Sequence, residues 1–148
     1  MKVSDYIIEY LASIGIQDVF YVPGGGAMHL NDSLGANPKI EAVSMIFEQG
    51  AAVAAEAYAR GKDGYAACLV TSGPGATNAL TGLVGAYLDS VPVIFISSAA
   101  DNMNIIMAVN MGGDDFVPKP FDLSVLTAKV QAVLRRTYDL SGKVPVLE

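Results

Sequence analysis

Two short runs, AACLV at residues 66–70 and VPVIFIS at residues 91–97, are apolar at nearly every position instead of alternating with polar residues. A strand that shows one face to water alternates, whereas a strand buried on both faces does not. The two runs therefore demand a parallel sheet covered by helices on both sides, with right-handed crossovers between strands.

The segments between them read as those helices. Val3, Tyr6, Ile7, Tyr10, Leu11 and Ile14 follow helical spacing, with Ser4 or Asp5 to cap the start and Gly15 to end it. DVFYV (18–22) and KIEAVSMI (39–46) read as strands, and AMHLNDSLG (27–35) as a short helix between them. EQGAAVAAEAYARG (48–61) is alanine-rich and helical, and GPGATNALTGLVGAYLDS (73–90) is a turn running into a helix. Beyond the fourth strand the pattern gives a helix over 102–113, a fifth strand within DDFVPKP, and a last helix over 123–138. The expected fold class is α/β, a three-layer doubly wound parallel sheet with an extra helix before the first strand.

Length and composition narrow the function classes. A chain of 148 residues is the size of one domain. Hydrophobic residues make up 52% of it, yet no apolar run reaches the roughly 18 residues of a membrane span. The start, MKVSDYIIEYLAS, is too acidic for a signal peptide, so a cytoplasmic protein is expected. A net charge of −6 argues against nucleic acid and anionic membrane as partners. Arg135 and Arg136 fall near a helix end, where they complement its dipole. Cys68, the sole cysteine, sits inside an apolar strand and reads as an inert buried thiol. No metal site is expected.

In parallel sheets ligands bind at the carboxyl edge of the strands. Pro23, Gly24, Gly25 and Gly26 follow the first strand, Glu48 follows the second, and Gly73, Pro74 and Gly75 follow the third. Taken singly, the glycines make turns and the glutamate favours the positive end of a helix.

The combination FYVPGGG, FEQGAAVAAEAYAR and VTSGPGATNALTGLVGAYLDSVPVI resembles the pyrimidine-binding domain of thiamine-diphosphate enzymes of the acetolactate synthase and pyruvate decarboxylase group, over residues 1 to about 97. The resemblance implies that Glu48 bonds N1′ of the cofactor's aminopyrimidine and promotes the imino tautomer that deprotonates the thiazolium carbon. Pro23, Gly24, Gly25 and Gly73 would line the cofactor. That family also needs a pyrophosphate-binding domain with a GDG…N signature, which these 148 residues lack. Its active site lies between two chains.

From VPVIFISS onward the chain resembles the last third of a response-regulator receiver domain, on the GGDDF turn, the triplet Lys119-Pro120-Phe121 and the closing helix. The resemblance implies that Ser97 and Lys119 contact a phosphoryl group. Their plain readings are a strand-end serine bonded to backbone and a solvated lysine. A receiver's phosphorylated aspartate and its magnesium-binding acidic pair are missing, because those places hold TSGPG and VPGGG.

The two resemblances together imply a chimeric domain over 1–140, thiamine-enzyme-like over 1–91 and receiver-like over 92–140, with 141–148 as a linker stub. The sheet order would be the flavodoxin-like 2-1-3-4-5. On this reading neither native catalysis nor phosphorelay is expected. No cofactor is expected either, with thiamine diphosphate possible if a partner domain is supplied. The first helix should pack on one sheet face or expose an apolar stripe, and an exposed stripe would promote self-association. Two alternatives stand beside it: a thiamine-diphosphate-binding fragment of a decarboxylase-like or synthase-like enzyme, and a degenerate receiver module.

Overall fold

A computed structural model of the chain describes residues 1–62, 64–97 and 123–138. Residues 1–99 form one compact unit and residues 100–148 a second. Of the second unit, the described part is a single helix, Leu123–Tyr138, which matches the last helix expected from the sequence. The expected helix at 102–113, the fifth strand and Lys119 lie outside the described residues.

The first unit runs α1 (Val3–Ser13), β1 (Asp18–Tyr21), a single 3-10 turn (Gly25–Ala27), α2 (Met28–Ala36), β2 (Glu41–Ser44), α3 (Glu48–Lys62), β3 (Ala66–Val70), α4 (Pro74–Leu88) and β4 (Val93–Ser97). The helix of the second unit, Leu123–Tyr138, is α5. The four strands are parallel in the order β2-β1-β3-β4. This is the expected order as far as the described strands reach, and it puts β1 and β3 in the middle. Every residue of β3 is buried, as its unbroken apolar run requires, while β2 and β4 are only partly buried.

Side chains alternate between the two sheet faces. Phe20, Ala66, Cys68 and Val70 point into a core shared with Ala51, Ala52, Ala55 and Ala59 of α3 and Ala79 of α4. Val19, Ala67 and Leu69 occupy the alternate positions and are also buried, as are Ile7, Ile8 and Leu11 of α1 and Leu30 and Leu34 of α2. These layers give the three-layer α/β architecture.

The first helix has no exposed stripe on its core side, because Ile7, Ile8 and Leu11 are buried and its polar residues fasten it to α2. The Ser33 hydroxyl sits 2.8 Å from Ser4 Oγ and 2.7 Å from Asp5 Oδ1. Lys2 pairs with Asp32 at 3.0 Å, and Glu9 with Lys39. Asp5 accepts the Lys2 backbone N–H, so the cap comes from Asp5 rather than Ser4. Gly15, at φ +94°, ends α1 as expected: its N–H bonds Ala12 O and the next N–H, of Ile16, bonds Leu11 O. Of the large apolar side chains of α1, Val3, at the start, is exposed; the others left exposed in this unit include Met28, Ile46, Phe47, Val53, Tyr87 and Leu88.

The contact between α3 and α4 is unusually close. A Cβ placed on Gly82 would meet Ala52 Cβ at 2.5 Å, Ala52 C at 2.8 Å and the Val53 nitrogen at 2.9 Å. Two of those atoms are backbone and cannot step aside. Gly35 in α2, by contrast, has nothing within 4 Å of such an atom. Alanine normally stabilises a helix over glycine by up to about 1 kcal/mol. Gly35→Ala is therefore expected to raise stability in urea unfolding, and Gly82→Ala to lower it by about 1–3 kcal/mol through overpacking.

Cys68 is fully buried, and burial first, with the Glu48 carboxylate second, pushes its thiol from 9.0 up to about 12. Above pH 9 the unfolded chain releases that proton while the folded chain keeps it, so the unfolded state binds fewer protons and stability falls as pH rises. The slope is about 1.4 kcal/mol per pH unit. Burial raises the Tyr10 and Tyr58 hydroxyls from 10.0, which adds in the same direction at higher pH. Urea midpoints compared between about pH 9 and pH 10 should show a shallower alkaline loss for Cys68→Ala than for the wild type, whatever its stability at neutral pH.

Candidate functional site

Because all four strands run the same way, the segments after β1, β2 and β3 emerge at one edge. Order β2-β1-β3-β4 means that the chain leaves β1 for one side of the sheet and later crosses to the other, so the crevice of a doubly wound fold opens between the ends of β1 and β3. Gly24 and Thr71 meet there. A Cβ on Gly24 would lie 2.7 Å from Thr71 Cβ, so only glycine lets the turn after β1 pack against the end of β3. Gly24 has φ −161°, an extended conformation open to any residue, and the demand for glycine is purely steric. Pro23 and Gly25 flank it on the surface, and Gly25 has open space where a side chain would stand.

Gly73 supplies the second turn. It has φ +65° and ψ −123°, a combination that side-chain-bearing residues avoid, and it caps α4 with Pro74 at the first helical position. This turn aims the start of α4 back at the start of α3.

Glu48 is the first residue of α3, half-buried, where the helix dipole favours a negative charge. Asn78, one turn into α4, donates its Nδ2–H to Glu48 Oε2 at 2.8 Å. Next to it, Gln49 Nε2 donates to Thr81 Oγ1 at 3.2 Å. A Cβ on Gly75 would fall 2.8 Å from Thr71 Cγ2 and 3.1 Å from Glu48 Oε1, so the absence of a side chain there keeps room beside the carboxylate. The edge thus gathers Pro23, Gly24, Gly25, Glu48 and Gly73, the five positions that the thiamine-enzyme resemblance implied for the cofactor. Asn78 and Thr71 also belong to it, although the sequence reading did not single them out.

Ser97 ends β4 opposite Val70 in the register with β3, and its hydroxyl donates to Thr71 O at 3.2 Å. That bond follows the plain reading of a strand-end serine.

The arrangement presents a hydrogen-bonded carboxylate between two glycine-bearing turns, next in sequence to the exposed Ile46 and Phe47. A carboxylate so placed can accept a hydrogen bond or a proton from a ligand at this edge.

Comparison with known proteins agrees with this chemistry. Residues 1–108 match the family described as thiamine pyrophosphate enzyme, N-terminal TPP binding domain. Acetolactate synthase 2, chloroplastic, of Zea mays is 45% identical over 96 residues, 65% of this chain and 15% of that protein. Probable acetolactate synthase 2, chloroplastic, of Oryza sativa subsp. japonica is 42% identical over 99 residues, 67% of this chain and 15% of that protein. Acetolactate synthase, chloroplastic, of Arabidopsis thaliana is 43% identical over 96 residues, 65% of this chain and 14% of that protein. The chain therefore spans about 15% of the length of these relatives.

Two expectations change. That no cofactor belongs to this chain is overturned, because the matched family is defined by binding thiamine pyrophosphate and the carboxyl edge carries a carboxylate suited to it. The receiver-like reading of 92–140, and with it the chimera, gains no support. The family match spans residues 1–108 and so extends past the expected seam at 91. With 108 of its 148 residues in that match, the chain belongs to the thiamine pyrophosphate enzyme family through its N-terminal TPP binding domain.

Proposed function

We propose that this chain supplies the aminopyrimidine-binding part of a thiamine-diphosphate site in an acetolactate synthase-like enzyme. The observation that carries the reading is the Glu48 carboxylate, fixed at the carboxyl edge by Asn78 at 2.8 Å and flanked by the glycine turns at Gly24 and Gly73.

The residues present fit that part of the cofactor. Glu48 offers a proton-accepting oxygen to a pyrimidine ring nitrogen, and Gly25 leaves space for a ring to approach the backbone. Pro23 and Gly73 shape the two turns that border the space. When bound, thiamine diphosphate supplies a thiazolium that forms and stabilises carbanions. This chain's share is to orient the pyrimidine and to hold a proton on the Glu48 carboxylate, general acid and base work at one stated atom. Turnover belongs to a whole enzyme of which this chain matches about 15%, so catalysis by the chain alone is not expected.

Calorimetric titration with thiamine diphosphate and magnesium tests the reading. The wild-type chain should bind, and Glu48→Ala should weaken binding about 10- to 100-fold, the effect of losing a hydrogen bond to a charged group. A flat wild-type titration, or equal affinity in the two proteins, would refute it.

A further inference from the structure

We infer that Asn78 is the positioning residue for Glu48: it holds one carboxylate oxygen so that the other is presented to a ligand's ring nitrogen. The inference deepens the reading just given and rests on it.

A glutamate at the start of a helix has three rotatable side-chain bonds and would otherwise sample several rotamers. Asn78 removes that freedom by donating to Oε2 at 2.8 Å. The other oxygen, Oε1, is the one that lies toward Gly75, where a side chain is absent and would not fit against Thr71. One oxygen is thus engaged by the protein, while the other, packed beside the bare Gly75, has no hydrogen-bond partner among the described residues.

The donor is itself held in place. One turn beyond Asn78, Thr81 accepts from Gln49, and the next residue, Gly82, sits directly on Ala52. Consecutive residues of α3, Glu48 and Gln49, are therefore tied to α4 in step. An amide is also the right kind of donor chemically. It fixes the carboxylate through a directed hydrogen bond without adding a positive charge.

The test is an NMR titration of the full 148-residue chain with the free hydroxymethyl aminopyrimidine that forms the ring portion of thiamine, and with its analogue carrying C–H in place of ring nitrogen N1. The wild type should prefer the pyrimidine, because only it can engage Glu48. Asn78→Ala should lower that preference about tenfold while changing affinity for the C–H analogue no more than about twofold. Thr81→Ala, which removes the parallel bond to Gln49, should keep the preference, since a general loosening of the helix pair acts on both ligands alike. Should Asn78→Ala fail to fold, the similar-sized Asn78→Leu takes its place; it has no donor for Glu48 and should lose the preference in the same way.

A preference retained by the folded Asn78 variant overturns the inference and leaves the reading of Glu48 standing. A wild type that binds neither ligand, or both equally, overturns the reading of Glu48 and the inference together.

Discussion

The site depends on how closely α3 and α4 approach. α3 turns Ala51, Ala52, Ala55 and Ala59 inward, and α4 turns Gly75, Ala79, Gly82 and Ala86 inward. Such small residues let two helix axes come nearer than leucine or valine would, and interaxial distance follows the side chains at the contact. The hydrogen bonds from Asn78 to Glu48 and from Gln49 to Thr81 exist only at that distance, because a shift of about 1 Å carries a 2.8 Å bond beyond useful range. Packing that looks purely structural thus sets the geometry of the carboxylate.

The other end of α3 is anchored independently. The Tyr58 hydroxyl donates to Asp18 at the start of β1, its ring meets Phe20 edge-on at 5.5 Å, and Lys62 lies over that ring at 4.7 Å. Arg60 bridges Glu56 and Asp89, tying the same region to the end of α4. Exposed ion pairs contribute little. The half-buried Tyr58–Phe20 contact adds a packing term of about 1 kcal/mol that salt does not screen. With its far end fixed to β1 and its near end to α4, α3 leaves little latitude to the residue at its start, which is Glu48.

Much of this was legible in the sequence where one physical rule dominates. AACLV could only be a strand buried on both faces, and an alanine-rich run bounded by turn residues could hardly be other than a packed helix. Convergence of Gly24, Glu48 and Gly73 followed from parallel strands alone. The 3-10 turn at Gly25–Ala27 was not legible, because a run of three glycines permits several turns and selects none. Nor was Asn78. A neutral amide within an apolar helix carries no spacing signal, and its role depends on a helix contact that places residues 48 and 78 side by side. Thr71 escaped notice for a similar reason, since its part is steric and appears only as space denied to Gly24 and Gly75.

The run from Leu88 to Ser97 shows why a strand pattern can satisfy two families at once. α4 closes with the Ser90 N–H bonded to Tyr87 O and the Val91 N–H bonded to Ala86 O, and Ser90 takes the left-handed conformation, at φ 56°, that such an ending requires. Pro92 cannot donate, but its carbonyl accepts from Ala66, and from Val93 to Ser97 every residue is in register with β3. Nothing between Tyr87 and Ser97 breaks step, as a helix ending, a turn and a strand follow one another within a single stretch of the family match. What the fourth strand of a doubly wound sheet must provide is an apolar run that follows a helix and ends at the ligand edge. VPVIFIS meets that demand in any doubly wound sheet, so its composition points to the fold, and the match over residues 1–108 identifies the family.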